Sequence, residues 1–318
     1  MAVRATGADA SFIHWFLASK FEYFQSLATG AAIPGLSRDQ VLGLELQLPP
    51  LSEQRRVVAI LDEAFAGIDA AIANTEKNIE NARELFDSYL NSVFAQRGDG
   101  WVEKKLEALI EIAHGYAFTG SDFSTSADPN RPIVLTPGNY TEQSELSFTL
   151  KNTKRFSGNP PAAYLFEPGD LTIVMTDLSS KMKILGKPAF VRQKNILHNQ
   201  RIGRIRIKNR EIVSEYIYYF LRTIAVSKEI KKTSTGTMVR HTAPKRILSI
   251  TMPFPKKIHD QETIAACFGE LSTETQRLET VYRQKLACLG ELKQIILQKA
   301  FAGELTAQPE KALEEAAE

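Results

Sequence analysis

A diverged internal repeat is the feature of this chain that most constrains its fold. Each copy contains an aromatic run, a Thr-Gly segment, a proline-containing segment and a long amphipathic stretch. The aromatic runs are Phe12–Leu17 and Tyr216–Leu221, and from Gln54 and Gln261 to the end of each amphipathic stretch the copies stay 207 residues apart without a gap. Because repeated sequence specifies a repeated structural unit, we predict two equivalent helices that flank one intervening block.

The composition indicates a globular protein without a membrane segment. The chain has 318 residues, 43% of them hydrophobic, which is enough for two domains with buried cores. It contains no run of about 18 apolar residues, and its N-terminus lacks the apolar stretch of a signal peptide. Cys267 and Cys288 fall on one predicted helix, about 30 Å apart, too far for a disulfide. We interpret them as small apolar core residues and expect a reducing cytoplasm.

The distribution of charge is more informative than its sum. Residues 101–255 contain 23 Lys and Arg against 13 Asp and Glu, a net charge of +10, whereas the rest of the chain has 16 against 24, a net charge of −8. A basic block between acidic helices predicts a polyanionic partner, most often nucleic acid. The alternative is an ordinary domain with solvated lysines.

The two amphipathic stretches predict helices at residues 51–97 and 256–305. The first begins after Pro49-Pro50 with Ser52 as the expected N-cap, and it ends at Gly98-Asp99-Gly100. Its apolar residues recur at spacings of three and four, which indicates a heptad seam that requires a partner helix. The seam comprises Val57, Leu61, Ala64, Ile68, Ile72, Ile79, Ala82, Phe86, Tyr89 and Val93, with Thr75 as the one polar member. The second stretch has a similar seam, so we predict an antiparallel pair.

Between the helices, the pattern changes to short β-rich runs separated by Pro and Gly. The run Ile202–Ile207 alternates apolar residues with Gly or Arg, as expected for a half-buried strand with a basic face. A helix is predicted at Ser214–Lys232, followed by a polar loop. Further strands are predicted at Ile133–Leu135, Leu171–Met175 and Ala189–Val191. This block therefore predicts a compact α+β domain.

Six segments of the chain, in this order, resemble the specificity subunit of type I restriction–modification systems. They are Leu48–Asp62, Leu106–Phe123, Phe166–Leu171, His198–Arg201, Tyr216–Leu221 and Gln298–Leu305. The resemblance implies a non-catalytic protein in which target-recognition domains bind double-stranded DNA and two helical regions act as a spacer. It also implies methyltransferase (modification) subunits as partners, with the restriction/translocase subunit bound indirectly.

The chain departs from the family pattern at its N-terminal end. The family carries two recognition domains, but only about 50 residues precede the first helix here, and they match the last helix, loop (Thr29 to Ser37) and exit strand of such a domain. We therefore expect five regions. They are a domain remnant (1–50), a spacer helix (51–97), a complete target-recognition domain (101–255), a second spacer helix (256–305) and a flexible acidic tail (306–318). Either the gene is truncated, or the chain pairs with a copy of itself.

Taken with the resemblance, the fold class expected is α+β, with one globular mixed α/β target-recognition domain carried on two long antiparallel coiled-coil helices. No catalytic, metal or cofactor motif was found. Asn159–Ala162 approximates an adenine-binding motif but lacks its aromatic residue, so we interpret it as a proline turn. The five histidines share no metal-ligand spacing, and His198 is expected to form a hydrogen bond within a strand turn.

The candidate DNA contacts divide by chemistry. The loop Thr233–His241, hydroxyl-rich and with Gly236 as a hinge, matches the family loop that meets DNA. Its candidates are Thr235, Gly236, Thr237, Arg240 and His241. Arg155, Arg192, Arg201 and Arg240 can hold guanine with two hydrogen bonds. Phosphate contacts are expected from Lys151, Lys154, Lys181, Lys183, Lys187, Lys194, Lys231 and Lys232.

Two further sets of candidates have structural alternatives. Tyr116, with Phe118 and Ser121, lies in a segment that family members place near DNA, although core packing of the two rings is the favoured interpretation. The polar residues at the start of the first helix are expected to be exposed and to contact a partner subunit, although helix capping explains the first of them equally well. They are Glu53, Gln54, Arg55 and Arg56.

The leading hypothesis for function is a specificity subunit that reads half of a bipartite DNA target and positions an adenine-N6 methyltransferase and the restriction subunits. The alternative is a coiled-coil scaffold whose DNA-binding domain is degenerate and has no sequence specificity. A remnant of a broken gene without a partner is a third reading.

Overall fold

The computed structural model describes residues 3–27, 35–124, 128, 130–158 and 162–306. The chain divides into two compact units, one formed by Met1–Arg83 with Gln276–Glu318 and the other by Glu84–Thr275. Among the described helices, none combines the length and apolarity needed to cross a membrane. The loop at residues 28–34, Asn159–Pro161 of the proline-turn motif and the tail from residue 307 lie outside the described residues.

In its described part, the first unit has helices as its named elements. Its elements are α1 (Ala10–Ser19), α2 (Phe21–Leu27), α3 (Arg38–Leu42), the first part of α4 (Leu51–Gln96) and the last part of α9 (Ile258–Phe301). Asp9 caps α1, because its carboxylate accepts from the main-chain N–H groups of Ser11 and Phe12 at 2.9 and 3.3 Å. Ser37 and Gln40 form a capping box on α3.

The start of α4 agrees with the predicted residue 51, but the predicted N-cap is not used. The helix begins at Leu51, and the Pro50 carbonyl accepts from the main-chain N–H groups of Glu53 and Gln54 at 2.9 and 3.0 Å. The Pro50 carbonyl thus accepts the hydrogen bonds of the first helical N–H groups, and Ser52 lies inside the first turn. The predicted role of Ser52 as N-cap is therefore wrong.

The second unit contains thirteen strands among its described residues. They are β1 (Trp101–Lys105), β2 (Ile110–His114), β3 (Phe123–Ser124), β4 (Ile133–Leu135), β5 (Arg155–Phe156), β6 (Leu165–Phe166), β7 (Leu171–Val174), β8 (Thr176–Asp177), β9 (Pro188–Phe190), β10 (Ile196–His198), β11 (Ile202–Ile207), β12 (Arg240–His241) and β13 (Thr251–Pro255). Its shorter helices are α5 (Leu106–Leu109), α6 (Ser214–Arg222), α7 (Ile224–Thr233) and α8 (Pro244–Leu248), besides parts of α4 and α9. Short 3-10 turns occupy Gly120–Asp122, Pro137–Asn139 and Ala162–Tyr164.

These strands form two main sheets and two separate antiparallel pairs. An antiparallel sheet has the order β2-β11-β7-β9, and a mixed sheet has the order β3-β5-β4-β10-β6 with β4 and β10 parallel. The pairs are β1 with β13 and β8 with β12. One buried apolar cluster joins the antiparallel sheet to α6, α7 and the ends of the long helices in this unit, and a second cluster lies against β4, β6 and β10 of the mixed sheet. The α+β prediction and the predicted strands are therefore confirmed.

The basic face predicted for β11 is largely neutralised. Arg204 forms an ion pair with Asp170 at 2.6 Å and lies over the Phe166 ring, and Arg206 pairs with Glu111 at 3.7 Å on the adjacent strand. The alternation of this strand therefore positions two structural ion pairs, which the sequence pattern alone could not distinguish from a DNA-facing surface.

The single helix predicted at Ser214–Lys232 is two helices. Thr223 is extended, with φ −62° and ψ 150°, and its hydroxyl accepts from the Val226 N–H at 3.4 Å. The Ile224 N–H donates to the side-chain oxygen of Asn91 on α4 at 2.8 Å. Because side chains satisfy these amides, the main chain can break and restart at Thr223.

The two long helices pack antiparallel in each unit. In the first unit Lys293 pairs with Asp69, and Glu279 accepts two hydrogen bonds from Arg83 at 2.7 and 2.6 Å, which lowers the Glu279 pKa. Asp69 and Arg83 are 14 positions apart along α4, and Lys293 and Glu279 are 14 positions apart in the opposite direction along α9. In the second unit Phe94 of α4 stacks on Phe268 of α9, with ring centroids 5.9 Å apart. The predicted antiparallel pair is confirmed.

The seam of α4 follows the prediction at first and then shifts by one residue. Val57, Leu61 and Ile68 are buried, and Thr75 is buried with its hydroxyl donating to the Ala71 carbonyl at 2.6 Å. Towards the end of the helix Phe86, Leu90 and Phe94 are buried, whereas the predicted Tyr89 is 40% exposed and Val93 half-buried. The shift occurs because these turns pack against α6 as well as α9. Phe94 contacts both Tyr216 and Phe220.

The internal repeat is conserved at the level of side-chain contacts. The Gln54 amide accepts from the Asp9 N–H at 2.8 Å and donates to the Pro49 carbonyl at 2.7 Å. In the second unit the Gln261 amide accepts from the Val213 N–H at 3.1 Å and donates to the Pro255 carbonyl at 2.8 Å. Both glutamines are buried. Each ties the start of a long helix to the residue before an aromatic helix.

The aromatic contacts at the helix ends repeat in the same way. Phe301 meets the rings of Phe12 and Phe16 edge-on at 5.1 and 5.5 Å in the first unit. Phe94 meets Tyr216 and Phe220 edge-on at 5.2 and 5.5 Å in the second. The aromatic helix of each copy therefore packs against the end of the long helix of the other copy.

Both cysteines are exposed, so their interpretation as core residues is wrong. They lie on α9 as predicted, and Cys267 contacts the Tyr89 hydroxyl at 3.5 Å.

The Gln261 contacts predict a specific loss of stability. Gln261→Met would leave the Val213 N–H and the Pro255 and Glu211 carbonyls without their partner in a buried site. We expect the free energy of unfolding to fall by about 1–3 kcal/mol, measured by urea denaturation. Gln284→Met on the exposed face of α9 is the control. Equal losses for the two variants would contradict a stabilising role for the Gln261 amide.

His198 predicts a pH dependence of stability. Its Nε2 donates to the Ile202 carbonyl at 2.8 Å, which confirms the expected strand-turn bond, and burial lowers its pKa to about 4. In the unfolded state this histidine binds its proton near pH 6.5. The free energy of unfolding therefore keeps its full value above that pH and decreases as the pH falls towards 4. The decrease amounts to about 3 kcal/mol. His198→Gln keeps a donor but cannot titrate, so its denaturation profile should be flatter over this range. Parallel profiles would contradict the assignment.

Candidate nucleic-acid interface

Two of the segments that carry the family resemblance lie against each other in the second unit. The Tyr116 N–H donates to the His198 carbonyl at 2.8 Å, and the Gln200 N–H donates to the Tyr116 carbonyl at 3.0 Å. Gly115 permits this approach, because a Cβ there would lie 2.3 Å from the His198 carbonyl oxygen. Residues 115–118 and 198–201 therefore form one surface.

The predicted recognition loop joins the same surface through β8. Arg240 and His241 pair with Asp177 and Thr176, and the His241 ring is 3.0 Å from the Thr176 hydroxyl. Immediately before β8, the Met175 N–H donates to the Arg201 carbonyl, and the Met175 carbonyl accepts from the Thr242 N–H, both at 2.9 Å. Residue 175 thus connects the two segments that were separate in the sequence.

The recognition loop is closed by its own main chain. Thr235 and His241 exchange two hydrogen bonds of 2.9 Å, and Gly236 has φ +95°, where a Cβ would lie 2.0 Å from the Val239 carbonyl oxygen. The Arg240 guanidinium donates to the Gly236 carbonyl and, from Nε, to the Met182 sulfur at 3.3 Å. Arg240 therefore stabilises the loop from inside, and Thr237 and Met238 are its exposed tip.

A second loop is held beside it. The buried Asp177 carboxylate accepts from the main-chain N–H groups of Ser179 and Ile184 at 2.8 and 3.0 Å, which fixes the intervening residues. Within this loop Lys181 is exposed, whereas Lys183 forms an ion pair with Glu142 at 2.5 Å. The Ser234 hydroxyl and Arg240 both contact Met182 of this loop, so the two loops form one edge of the surface.

A cleft of about 470 Å³ lies along this surface. Its walls are cationic, amide and apolar side chains, and no acidic side chain lines it in the described part of the chain. The lining residues are Phe118, Gly120, Phe123, Thr136, Pro137, Gly138, Lys151, Asn152, Lys154, Leu178, Asn199, Gln200 and Arg201. Lys154 lies over the Phe123 ring at 5.2 Å, and Lys151, Lys154 and Arg201 form no ion pair with a described carboxylate. This arrangement favours a bound polyanion.

Several predicted contacts lie outside this cleft. Arg192 lines a separate pocket with Ser144, Glu145 and Tyr218 and lies over the Phe190 ring, and Lys194 is in the exposed turn that follows. Arg155 is half-buried and donates to the Arg131 carbonyl at 2.6 Å.

Like Lys181, Lys183 and Lys194, three further predicted phosphate lysines do not line the cleft. Lys231 and Lys232 form the last turn of α7, immediately before the recognition loop. Lys187 is half-buried, and its pKa is lowered chiefly because burial disfavours the charged form.

The aromatic candidates divide between core and surface. Phe118 is buried against Phe156, with centroids 5.2 Å apart, in agreement with core packing. Tyr116 is 42% exposed and contacts Phe118 and Tyr164 at 4.9 and 5.5 Å. Ser121 is exposed, and its hydroxyl pairs with Thr119 at 2.8 Å.

The partner-contact residues at the start of α4 belong to the first unit. Gln54 is 2% exposed and fully engaged with the main chain, so the expectation that it is exposed is wrong. Arg55 and Arg56 are exposed, and Glu53 is half-buried with Arg56 at 4.0 Å.

The sequence reasoning did not single out Gln200, Leu178 or Asn152 as site residues. It counted Lys151 and Lys154 only among dispersed lysines. The segment His198–Arg201 was the available signal, because a polar cluster directly before the predicted strand Ile202–Ile207 indicates a functional turn. Among the described residues, no three His, Cys, Asp or Glu side chains are placed to hold a metal ion.

Comparison with known proteins gives a consistent set of relatives. The chain is 23% identical over 274 residues to the type I restriction enzyme MjaVIII specificity subunit of Methanocaldococcus jannaschii, covering 81% of this chain and 62% of that protein. It is 23% identical over 301 residues to the EcoKI specificity subunit of Escherichia coli K12, covering 89% of this chain and 62% of that protein. The chain thus spans less than two thirds of the length of these curated relatives.

Solved structures share the fold. A chain from a study of complex assembly and conformational transition in the type I R-M system superposes with a TM-score of 0.75 at 19% identity, covering 95% of this chain and 74% of that one. The HsdS subunit from Thermoanaerobacter tengcongensis gives a TM-score of 0.54 at 18% identity, covering 93% and 71%. The family model described as type I restriction modification DNA specificity domain matches residues 4–81 and 98–286. This chain therefore belongs to the family of type I restriction–modification DNA specificity domains.

Proposed function

We propose that this protein is a non-catalytic, sequence-specific DNA-binding subunit of a type I restriction–modification complex. It reads one half of a bipartite target with residues 101–255 and positions adenine-N6 methyltransferase and restriction subunits on the DNA. Membership of the specificity family supports this proposal. The cationic cleft, which no acidic side chain lines among the described residues, is the observation that carries it.

The cleft offers the two kinds of contact that sequence recognition requires. Lys151 and Lys154 line it, and Lys181 is exposed on the loop that begins beside Leu178, so their ammonium groups suit phosphate oxygens. Gln200 and Arg201 are exposed side chains on one rigid turn. A glutamine amide matches the N6 and N7 edge of adenine, and a guanidinium matches the O6 and N7 edge of guanine.

The turn is held firmly enough to discriminate between bases. The Asn199 carboxamide, 7% exposed, accepts from the Arg201 N–H at 2.9 Å, and main-chain bonds to Tyr116 and Met175 fix both sides. A polar group that cannot relax loses more when it faces the wrong base, because its hydrogen bonds are then left unmade. The exposed Leu178 and Met238 offer apolar contact to thymine methyl groups.

The methyl transfer itself belongs to the partner subunits in this proposal. The antiparallel pair α4 and α9 serves as the spacer between recognition elements, and the exposed Arg55 and Arg56 at the start of α4 are the proposed contacts with methyltransferase subunits. The action proposed for this chain takes place in the cytoplasm, where chromosomal DNA is accessible.

The two kinds of contact predict separable mutant effects. Arg201→Ala should weaken binding to the preferred duplex by about 1–3 kcal/mol and relax preference at one base pair. Lys151→Ala should weaken binding to all duplexes and make the slope of log K against log salt shallower by about 0.9. Fluorescence anisotropy on duplexes selected from a random pool would measure both effects.

Arg206→Ala is the matched control, because Arg206 is exposed but paired with Glu111 on β2. It should leave binding to selected and unselected duplexes within about twofold of wild type, the small change expected of a distant exposed charge. Selection that enriches no sequence, with equal losses for Arg201→Ala and Lys151→Ala on every duplex, would contradict sequence reading and favour the scaffold alternative.

A further inference from the structure

The internal repeat exposes a difference between equivalent segments. Leu44–Pro49 precedes α4 as β13 precedes α9, and each segment ends in a proline whose carbonyl accepts from the buried glutamine of its copy. This equivalence aligns Leu46 with Met252 and Leu48 with Phe254. Met252 and Phe254 are 0% and 1% exposed, whereas Leu46 is half-buried and Leu48 is 53% exposed.

The strand β1 accounts for the difference. It pairs antiparallel with β13, with Val102 opposite Phe254 and Lys104 opposite Met252. Leu44–Pro49, by contrast, is not a strand, contrary to the exit strand expected from the resemblance. No described main-chain group pairs with its Leu44–Leu48 portion, so among the described residues the N–H and C=O groups there have no strand partner.

A groove of mixed polarity lies beside this edge in the first unit. It has a volume of about 280 Å³, and its apolar walls include Phe12, Leu48, Val57 and Phe301. Gln47, Glu53 and Thr306 also line it. The repeat shows what fills the equivalent place, because Trp101 of β1 meets Tyr216, the counterpart of Phe12, at a centroid distance of 6.3 Å. The groove is therefore suited to an aromatic side chain that leads an extended segment.

We propose that Leu44–Pro49 and this groove form a strand-docking site for an extended segment of another polypeptide. The incoming segment has the pattern of β1, with an aromatic residue first, a β-branched residue second and lysines fourth and fifth. Charge supports this occupant. Lys105 of β1 faces Thr251, whose counterpart is the exposed Glu45, so a lysine at the fifth position would lie opposite a carboxylate. The docking uses strand addition and is independent of the DNA-binding proposal.

A labelled peptide tests the site on the full-length protein. The probe has the sequence of residues 98–109 of this chain, GDGWVEKKLEAL, with a fluorescein at its N-terminus. We expect saturable binding by fluorescence anisotropy, and a peptide with the tryptophan replaced by serine should bind at least tenfold more weakly. Leu48→Asp in the protein should cause a similar loss. Because Leu48 is exposed, this variant should retain the circular dichroism spectrum and urea midpoint of the wild type.

Charge reversal gives the sharper test. Glu45→Lys should weaken binding of the peptide several-fold, and replacing its second lysine by glutamate should restore binding to that variant. Leu85→Asp, which changes an exposed leucine elsewhere on α4, is the matched control and should have no effect. Absence of saturable binding would overturn the proposal. Binding that neither Leu48→Asp nor Glu45→Lys changes would also overturn it, because the peptide would then be exchanging with β1 in the second unit.

Discussion

The packing of one phenylalanine at the end of each long helix is the contact on which the rest of the structure depends. Phe94 inserts between α6 and α9, touching Tyr216, Phe220 and Phe268, and Phe301 occupies the equivalent position against α1. Two long helices that share a narrow seam leave much of their surface in water, so the seam alone fixes their register weakly. The aromatic contacts stop either helix from sliding, since a shift would expose a buried ring on both sides.

The surface proposed to face DNA is assembled from short segments that have no stable conformation by themselves. Gly115 lets one segment approach His198 closely, and Met175 binds the main chain of two others. The two loops at its edge are held by buried side chains, Asp177 in one and Arg240 in the other. The Lys and Arg side chains that face the cleft are thus different residues from the side chains that fix the loop backbone. That separation allows the exposed residues to vary in sequence without loss of the fold.

The apolar periodicity of the sequence predicted the repeated helices. It could not predict which polar side chains form hydrogen bonds or ion pairs inside the protein. The long helices and the β11 strand follow from apolar spacing, which depends only on neighbours along the chain. Gln54 appeared to be a surface residue, yet it is buried because Asp9 and Pro49 supply its partners. The same applies to Arg204, whose partner Asp170 lies on a distant turn. The cleft could not be foreseen, since its walls come from five separated segments.

Hydrogen–deuterium exchange of the protein, free and bound to a duplex selected for tight binding, tests the central claim most directly. Reading of DNA by the cleft predicts slower exchange at residues 115–120, 151–154, 178–184, 198–201 and 235–242, with smaller protection on an unselected duplex. Protection confined to residues 192–194 and the pocket beside them, or equal protection by any duplex, would contradict sequence recognition by this surface.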